Sequence, residues 1–302
     1  MINWLKNYWL LDDGAIFRQL RVVPESLVLT GHGRIWLHNW KGLLQIWLRF
    51  SKKRLPAGAP YVRVHTSYQG YYHWLLENVP KLLEARRTIP AFTLLLPSSY
   101  TAAFYADTLR LLGITAVERL QPQTMYQVPE LALPFASEAQ GSYSAHAMRE
   151  VKDVFLAATG VDRREATPAT RLYVSRRKAA RRKVLNEPDV ERLLSRYGFQ
   201  SLCFEDFTFE EQVRLCADVN VLVSMHGAGL SNMIFMPEHA SVIEFRKFDE
   251  GRNYFFTQLA ATLAYQYQLL YCAAADEQQS VQDADLYVDI TALEAMLKQL
   301  PA

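Results

Sequence analysis

Apolar and polar positions alternate along this chain in two strand–helix series. From residue 61 a short apolar run (61–65) precedes an apolar stripe at helical spacing (71–87). A strand pattern at 92–96 and a helix at 100–112, closed by Gly113, follow. Short strands at 116–120 and 131–134 lead to a helix over 144–158 that stops at Gly160. Residues 161–170 are polar, contain Pro168, and read as an interdomain linker. The second series opens with a strand at 171–175. Pro188 then occupies a helix N1 position before 189–197, with Gly198 as the stop. A strand at 200–205, a helix at 209–217 and strands at 219–224 and 241–245 complete the pattern. Such alternation predicts an α/β protein with parallel sheets and right-handed crossovers. The expected domains are 1–162 and 163–302, with the last helix free to pack back on the first domain.

The run Val219-Asn-Val-Leu-Val-Ser-Met-His-Gly-Ala-Gly-Leu-Ser-Asn predicts a strand covered on both faces, a tight turn at 226–229, and a helix beginning near Leu230. Gly227 and Gly229 flank Ala228, so the backbone there is open to close approach by a ligand. The helix start would aim free N–H groups at a phosphate over the turn. The glycine spacing is neither GxGxxG nor a Walker loop. His226 is a phosphate or sugar contact, or a brace for the turn; Glu244 accepts from ribose hydroxyls, or is a strand-end acid facing water.

Residues 163–183 hold nine Lys/Arg and one acid, Glu165. Such a run is a solvated face, a nucleic-acid patch or a diphosphate site. Ser175-Arg176 stands at the carboxyl end of a strand, where open α/β sheets bind ligands, and arginine's planar fork matches phosphate. His73 and Glu77 lie four apart on a helix and face the same way. That pair either fixes the helix or aims a carboxylate as a general base.

Three blocks carry a resemblance. Tyr71-Tyr-His-Trp-Leu-Leu-Glu-Asn-Val-Pro-Lys-Leu82, Tyr173-Val-Ser-Arg-Arg-Lys-Ala-Ala-Arg-Arg-Lys-Val-Leu-Asn-Glu187, and Ser224-Met-His-Gly-Ala-Gly-Leu-Ser-Asn232 with Phe235-Met-Pro and Val242-Ile-Glu-Phe resemble, in order, the signature blocks of glycosyltransferase family 61. Gly70 stands where many members have Asn, and Ser231 where Thr is common; residues 1–60 match no block. The resemblance implies two Rossmann-like domains facing a cleft, the GT-B architecture. It implies an inverting, metal-independent transferase that moves a sugar from a nucleotide-sugar donor to a hydroxyl of a glycan or lipid-linked glycan acceptor. Glu77 would be the base, assisted by His73. Ser175, Arg176, Arg182, Asn186, His226, Gly227, Ala228, Gly229, Leu230 and Glu244 would hold the nucleotide sugar. A bacterial role in capsular or surface polysaccharide assembly goes with the resemblance.

Composition narrows the alternatives. The 302 residues are 50% hydrophobic and 12% aromatic, enough for sizeable cores. Net charge is +2, from 33 basic and 31 acidic residues, so no global field calls for nucleic acid. Cys203, Cys216 and Cys272 lack metal-ligand spacing and read as buried reduced thiols. With no membrane-length apolar run and no signal-peptide pattern, a cytoplasmic location is expected. The stretch 34–54 carries Trp36, Trp40, Trp47, six Lys/Arg and no acid. It reads as peripheral contact with the inner membrane surface or as a helix packed on the first domain. Asp283-Ala-Asp285 has an Asp-x-Asp shape but reads as a loop, and neither metal nor cofactor is expected. The competing functions are a non-catalytic glycan or nucleic-acid binder and a phosphoryl or glycerol-phosphate transferase.

Overall fold

The computed structural model describes residues 2–18, 21–23, 40–65, 68–134, 142–161, 170–248 and 254–300. The chain forms two compact units, Met1–Ser137 and Glu138–Ala302. The division falls before helix Ala145–Ala158, not at 162/163 as the polar linker predicts. The helix belongs to the second unit because its apolar face is buried there. Phe155 meets Phe209 and Phe235 at ring distances of 4.9 and 6.2 Å, and Lys152 donates to the Met236 carbonyl.

The strands of the first unit are β1 (Ile2–Leu10), β2 (Ile16–Arg18), β3 (Arg21–Val22), β4 (Ser51–Arg54), β5 (Tyr61–Arg63), β6 (Thr93–Pro97), β7 (Val117–Leu120) and β8 (Thr124–Pro134). They form one sheet in the order β3-β2-β1-β8-β5-β6-β7, with β4 also paired to β8. β8, β5, β6 and β7 are parallel, whereas β1, β2 and β3 add an antiparallel wing to β8. The wing departs from the purely parallel expectation. Its first turn is made by Asp12-Asp13-Gly14: Gly14 has φ +93°, and Ala15 N donates to Asp13 Oδ1 at 3.0 Å. A residue with φ > 0 between two apolar runs is a hairpin signal.

Helix Trp40–Arg49 packs on this unit. Ile46 joins Leu11, Ala15, Phe17 and Met125 in a core cluster, and Trp47 meets Trp9 edge to face at 5.2 Å. Lys52 lies over the Trp47 ring and donates to its carbonyl at 2.7 Å. Of the 34–54 stretch, Trp36 lies outside the described residues. Among the described residues, no helix is long and apolar enough to cross a membrane.

The second unit is a Rossmann-like α/β unit with an all-parallel sheet. Its strands β9 (Thr170–Val174), β10 (Phe199–Leu202), β11 (Val219–Met225), β12 (Ser241–Arg246) and β13 (Gln266–Tyr271) are all parallel, in the order β10-β9-β11-β12-β13. A small antiparallel pair, β14 (Ala273–Ala274) and β15 (Leu286–Tyr287), stands apart. The apolar run of β11 is continuous because both faces are covered. Val221 and Val223 enter one core with Leu193, Ile243 and Leu293. The last helix, Ile290–Leu297, buries Leu293 and Leu297 in this same core of the second unit, with Val190 and Leu194. Glu294 also accepts from Tyr197. Cys203, Cys216 and Cys272 are buried and free.

Strand order reverses between β9 and β11. The connection after β9 leads outward to β10, and the chain then returns past β9 to β11. In parallel sheets the crevice at the carboxyl ends of such a pair is the ligand position.

One buried group in the first unit links the fold to pH. His65, just beyond β5, is fully buried; Nδ1 faces the Leu95 carbonyl at 3.1 Å. Burial, aided by the neighbouring Arg63 guanidinium, pushes it down to about 3. The native state therefore keeps this ring neutral while the unfolded chain protonates it near pH 6.5. The stability it contributes is complete above about pH 6.5 and falls as pH drops from there toward 3. Denaturant unfolding at pH 7.5 and 5 should show this loss, and His65→Leu should flatten that part of the curve.

Candidate functional site

The donor-side residues converge on the carboxyl ends of β9 and β11. Ser224 on β11 pairs with Val174 on β9, and its hydroxyl donates to the Val174 carbonyl at 2.9 Å. Ser175-Arg176 and His226-Gly227 thus leave the sheet side by side. Ser175 is buried, and its hydroxyl accepts from Arg177 N and Nε at 3.1 and 2.9 Å. Arg176 Nε and Nη2 donate to the carbonyls of Arg182 and Arg181 at 3.1 and 3.3 Å. Those two bonds fold the basic loop around its guanidinium.

Gly227 has extended backbone, so its conformation does not require glycine. Space does. A Cβ there would overlap the Arg176 guanidinium, with Cζ at 3.0 Å. At Gly229 a Cβ would stand 3.2 Å from the Phe204 ring. The two glycines therefore admit Arg176 and Phe204, where the sequence pattern alone predicts room for a ligand. The helix after the turn is a 3-10 segment, Ala228–Phe235; its Leu230 is fully buried and Leu230 N donates to the Gly227 carbonyl at 3.0 Å.

The basic run sorts into two groups. Arg177 pairs with Glu191 and Glu187, Lys178 with Asp206, and Arg181 with Asp283 at 2.5 Å. Arg176 and Arg182 have no carboxylate partner among the described residues. Burial lowers the proton affinity of both, and for Arg182 the adjacent Arg176 and Arg181 add to it, bringing it to about 10. Arg182 also sits at φ 60°, an uncommon conformation for a side-chain-bearing residue, and its Nε is buried without a partner. Two partly desolvated guanidinium groups without an ion pair, at a strand-order reversal, are the kind of donor set that suits an anion.

Asn186, Glu244 and the Asp-x-Asp pair are engaged elsewhere. The Asn186 amide clamps the backbone of Val288, donating to its carbonyl at 2.8 Å and accepting from its N–H at 2.9 Å. Asp285 accepts from Lys183 N at 2.7 Å, and Asp283 from Arg181 and Ser280. Glu244 is buried; one oxygen meets His226 Nδ1 and the other accepts from Tyr267 OH at 2.6 Å. Its oxygens thus face protein groups where a ribose hydroxyl or water was expected. Tyr267 went unseen in the sequence. Its signal was β-register: it lies diagonally across from Glu244 on the neighbouring strand.

The first unit carries the other candidate residues. His73 Nδ1 and Glu77 Oε2 are 2.9 Å apart, both partly buried. Glu77 Oε1 is buried and has no hydrogen-bond partner. The helix does not run straight here. A three-residue α-turn, Tyr71–His73, passes into a π-turn, Trp74–Asn78, before α-helix Val79–Thr88. Single π-turns inside helices gather at functional sites. The segment is pinned without a side-chain cap at Gly70: Tyr100 donates to the Tyr68 carbonyl, Tyr105 to the Gln69 carbonyl, and the Tyr68 ring stacks on His73 at 4.5 Å. A Cβ at Gly70 would make an ordinary 3.7 Å contact with His73, so the position tolerates a larger residue. Behind Glu77 lies Lys81, nearly buried and pushed down to about 8 by burial and Arg63, with Glu77 acting against that shift.

Comparison with known proteins agrees with the three blocks. The sequence model of Glycosyltransferase 61 matches residues 71–243. The chain is 32% identical over 85 residues to the EGF domain-specific O-linked N-acetylglucosamine transferase of Drosophila melanogaster, covering 27% of this chain and 16% of that protein. It is 40% identical over 67 residues to the human protein O-linked-mannose beta-1,4-N-acetylglucosaminyltransferase 2, covering 21% and 11%. The matches thus span about a sixth or less of these relatives' length. A solved structure of the E. coli heptosyltransferase WaaC with ADP-2-deoxy-2-fluoro heptose aligns over 82% of this chain and 99% of that one, at a TM-score of 0.34 and 12% identity, too slight a likeness to weigh.

The geometry separates two asparagine- and glycine-based expectations. Gly227→Ala displaces Arg176 and should weaken nucleoside diphosphate binding at least tenfold, on the scale of one charged hydrogen bond. Asn186→Ala should leave that affinity unchanged and cost roughly 1–3 kcal/mol of stability from two lost hydrogen bonds. Calorimetry and denaturant unfolding measure the two effects. Diphosphate affinity lost in Asn186→Ala would return that residue to the ligand site.

Proposed function

The chain belongs to glycosyltransferase family 61, and from that premise we propose that it transfers a sugar from a nucleotide-sugar donor to a hydroxyl of a glycan acceptor. The observation that carries the donor half is the Arg176 guanidinium lodged against Gly227 at the β9/β11 crevice, with Arg182 beside it. The leaving diphosphate binds there, and the paired guanidinium groups take up the charge that develops as the bond from the anomeric carbon to the phosphate oxygen breaks.

On this reading the first unit supplies the base. Glu77 Oε1 is unengaged while His73 holds Oε2. A carboxylate oriented through one oxygen keeps the other for a proton. The acceptor hydroxyl gives its proton to Glu77 as its oxygen attacks the anomeric carbon from the face opposite the diphosphate, so configuration inverts.

Both relatives are named for N-acetylglucosamine transfer, so an N-acetylglucosamine nucleotide is the first donor to test. The proposed acceptor is a glycan, free or lipid-linked, of the surface-polysaccharide kind. The protein-borne acceptors in the relatives' names belong in the same screen. A screen of nucleotide sugars for ligand-induced stabilisation, followed by transfer assays, tests the proposal. Stabilisation by oligonucleotides and by no nucleotide sugar would replace it with a binding role.

Glu77→Gln keeps the shape and the bond to His73 but cannot accept a proton. Turnover should fall ~10²–10⁴-fold, the usual worth of a general base, with donor affinity nearly intact. Near-normal transfer by this variant would place the base elsewhere. Because side chains neutralise the diphosphate in this proposal, transfer should persist in chelator; complete loss, restored by manganese or magnesium, would require a metal at the site.

A further inference from the structure

A second feature lies next to the anion site and has its own geometry. His226 follows the last residue of β11, and its N–H donates to the Phe245 carbonyl at 2.9 Å, which fixes its backbone to the end of β12. Its ring is held by three elements. Nδ1 meets the Glu244 carboxylate on β12. The ring packs edge to face on Phe256 of helix Phe255–Thr262 at 5.4 Å. Glu244 is held in turn by the Tyr267 hydroxyl on β13 at 2.6 Å. The chain Tyr267–Glu244–His226 thus crosses three structural elements, and both Glu244 and His226 are buried. Nε2 is the ring nitrogen left without a partner among the described residues.

We propose that Glu244 and Tyr267 are positioning residues that hold His226 with Nδ1 as a donor and leave Nε2 to contact a phosphate of the donor's diphosphate. This rests on the donor-site reading above. The physical reason is an oriented chain. A carboxylate has lone pairs and no proton, so a ring nitrogen bonded to it is the one that carries hydrogen. Tyr267 occupies the second oxygen, so the carboxylate cannot swing away. Nδ1 of this ring meets the Glu244 carboxylate and the ring packs on the apolar Phe256; the Tyr267 hydroxyl meets the other Glu244 oxygen, Arg246 acts electrostatically on Tyr267, and Arg176 lies against the next residue, Gly227. Burial, reinforced by Glu244, raises the Tyr267 phenol well above its ordinary value, so it remains a donor throughout the working pH range. A phosphate oxygen only accepts, so the proposed contact requires a proton on Nε2 as well as on Nδ1, and Nε2 then donates to it.

The test uses the full chain labelled with ¹⁵N and imidazole correlation spectra, with and without the tightest-binding of the common nucleoside diphosphates. Free protein should show His226 with Nδ1 protonated, and the ligand should protonate Nε2 as well. Glu244→Gln should weaken diphosphate binding about tenfold, and Tyr267→Phe about threefold, with affinity for the bare nucleoside unchanged. In a His226→Gln background, neither change should cost anything further, because both act through the ring. A free protein with Nδ1 unprotonated, or losses that add fully in the His226→Gln background, would overturn the assignment. Tyr267→Phe keeps the ring and carries the test alone if Glu244→Gln does not fold. If the wild-type protein binds no nucleoside diphosphate, the donor reading fails, and the free-state spectrum still decides whether Glu244 fixes the ring.

Discussion

Gly227 has room for a hydrogen and no more, because the Arg176 guanidinium lies where a Cβ would be. Much of the second unit is arranged around that contact. Arg176 reaches it from the end of β9 because the carbonyls of Arg181 and Arg182 fold the basic loop back over it. Gly227 reaches it from the end of β11 because the parallel pairing of β9 and β11 brings the two strand ends together. The cost is partial desolvation of a cation beside a second cation, Arg182; Glu205 and Asp283 offset it electrostatically, but among the described residues neither guanidinium has an ion pair. A partly buried cation without an ion pair is less favourable in the free protein than it would be beside a bound anion.

The surrounding loop is stabilised by its other charges. Arg177, Lys178 and Arg181 have acidic partners on neighbouring elements, and Asp285 binds the backbone of Lys183. Asn186 ties the loop's end to Val288. A run of like charges is thereby divided into residues that hold the loop and two, Arg176 and Arg182, without an ion pair among the described residues. Exposed pairs of this type contribute little individually, so their role here is to set the loop's path.

The first unit solves a different problem. Here the Glu77 carboxylate is held on a helix through one oxygen, and its other oxygen has no hydrogen-bond partner. The π-turn Trp74–Asn78 falls where Glu77 sits, and His73 takes one oxygen only. Stacking on Tyr68 and the hydroxyls of Tyr100 and Tyr105 replace the missing cap at Gly70. Membership of glycosyltransferase family 61 gives these two arrangements a common purpose in the proposal made above.

Several of these features were legible in the sequence because they are local. The continuous apolar run of β11 marks a strand covered on both faces, the glycines mark a close approach, and four-residue spacing places His73 and Glu77 on one helix face. What the glycines approach was not legible, since Arg176 and Phe204 arrive from other segments. Nor were the partners of Asn186 and Glu244, which come from Val288 and Tyr267 far along the chain. The same limit hid the antiparallel wing, although Asp12-Asp13-Gly14 marked its turn, and it misplaced the boundary by assigning helix Ala145–Ala158 to the first unit. Periodicity and turn chemistry act over a few residues, so the sequence by itself determined most elements between residues 61 and 245, the strand-end motifs and the His73–Glu77 pair. Which polar groups are already satisfied, and which are left for a ligand, depends on contacts between distant segments, and only the tertiary structure decided it.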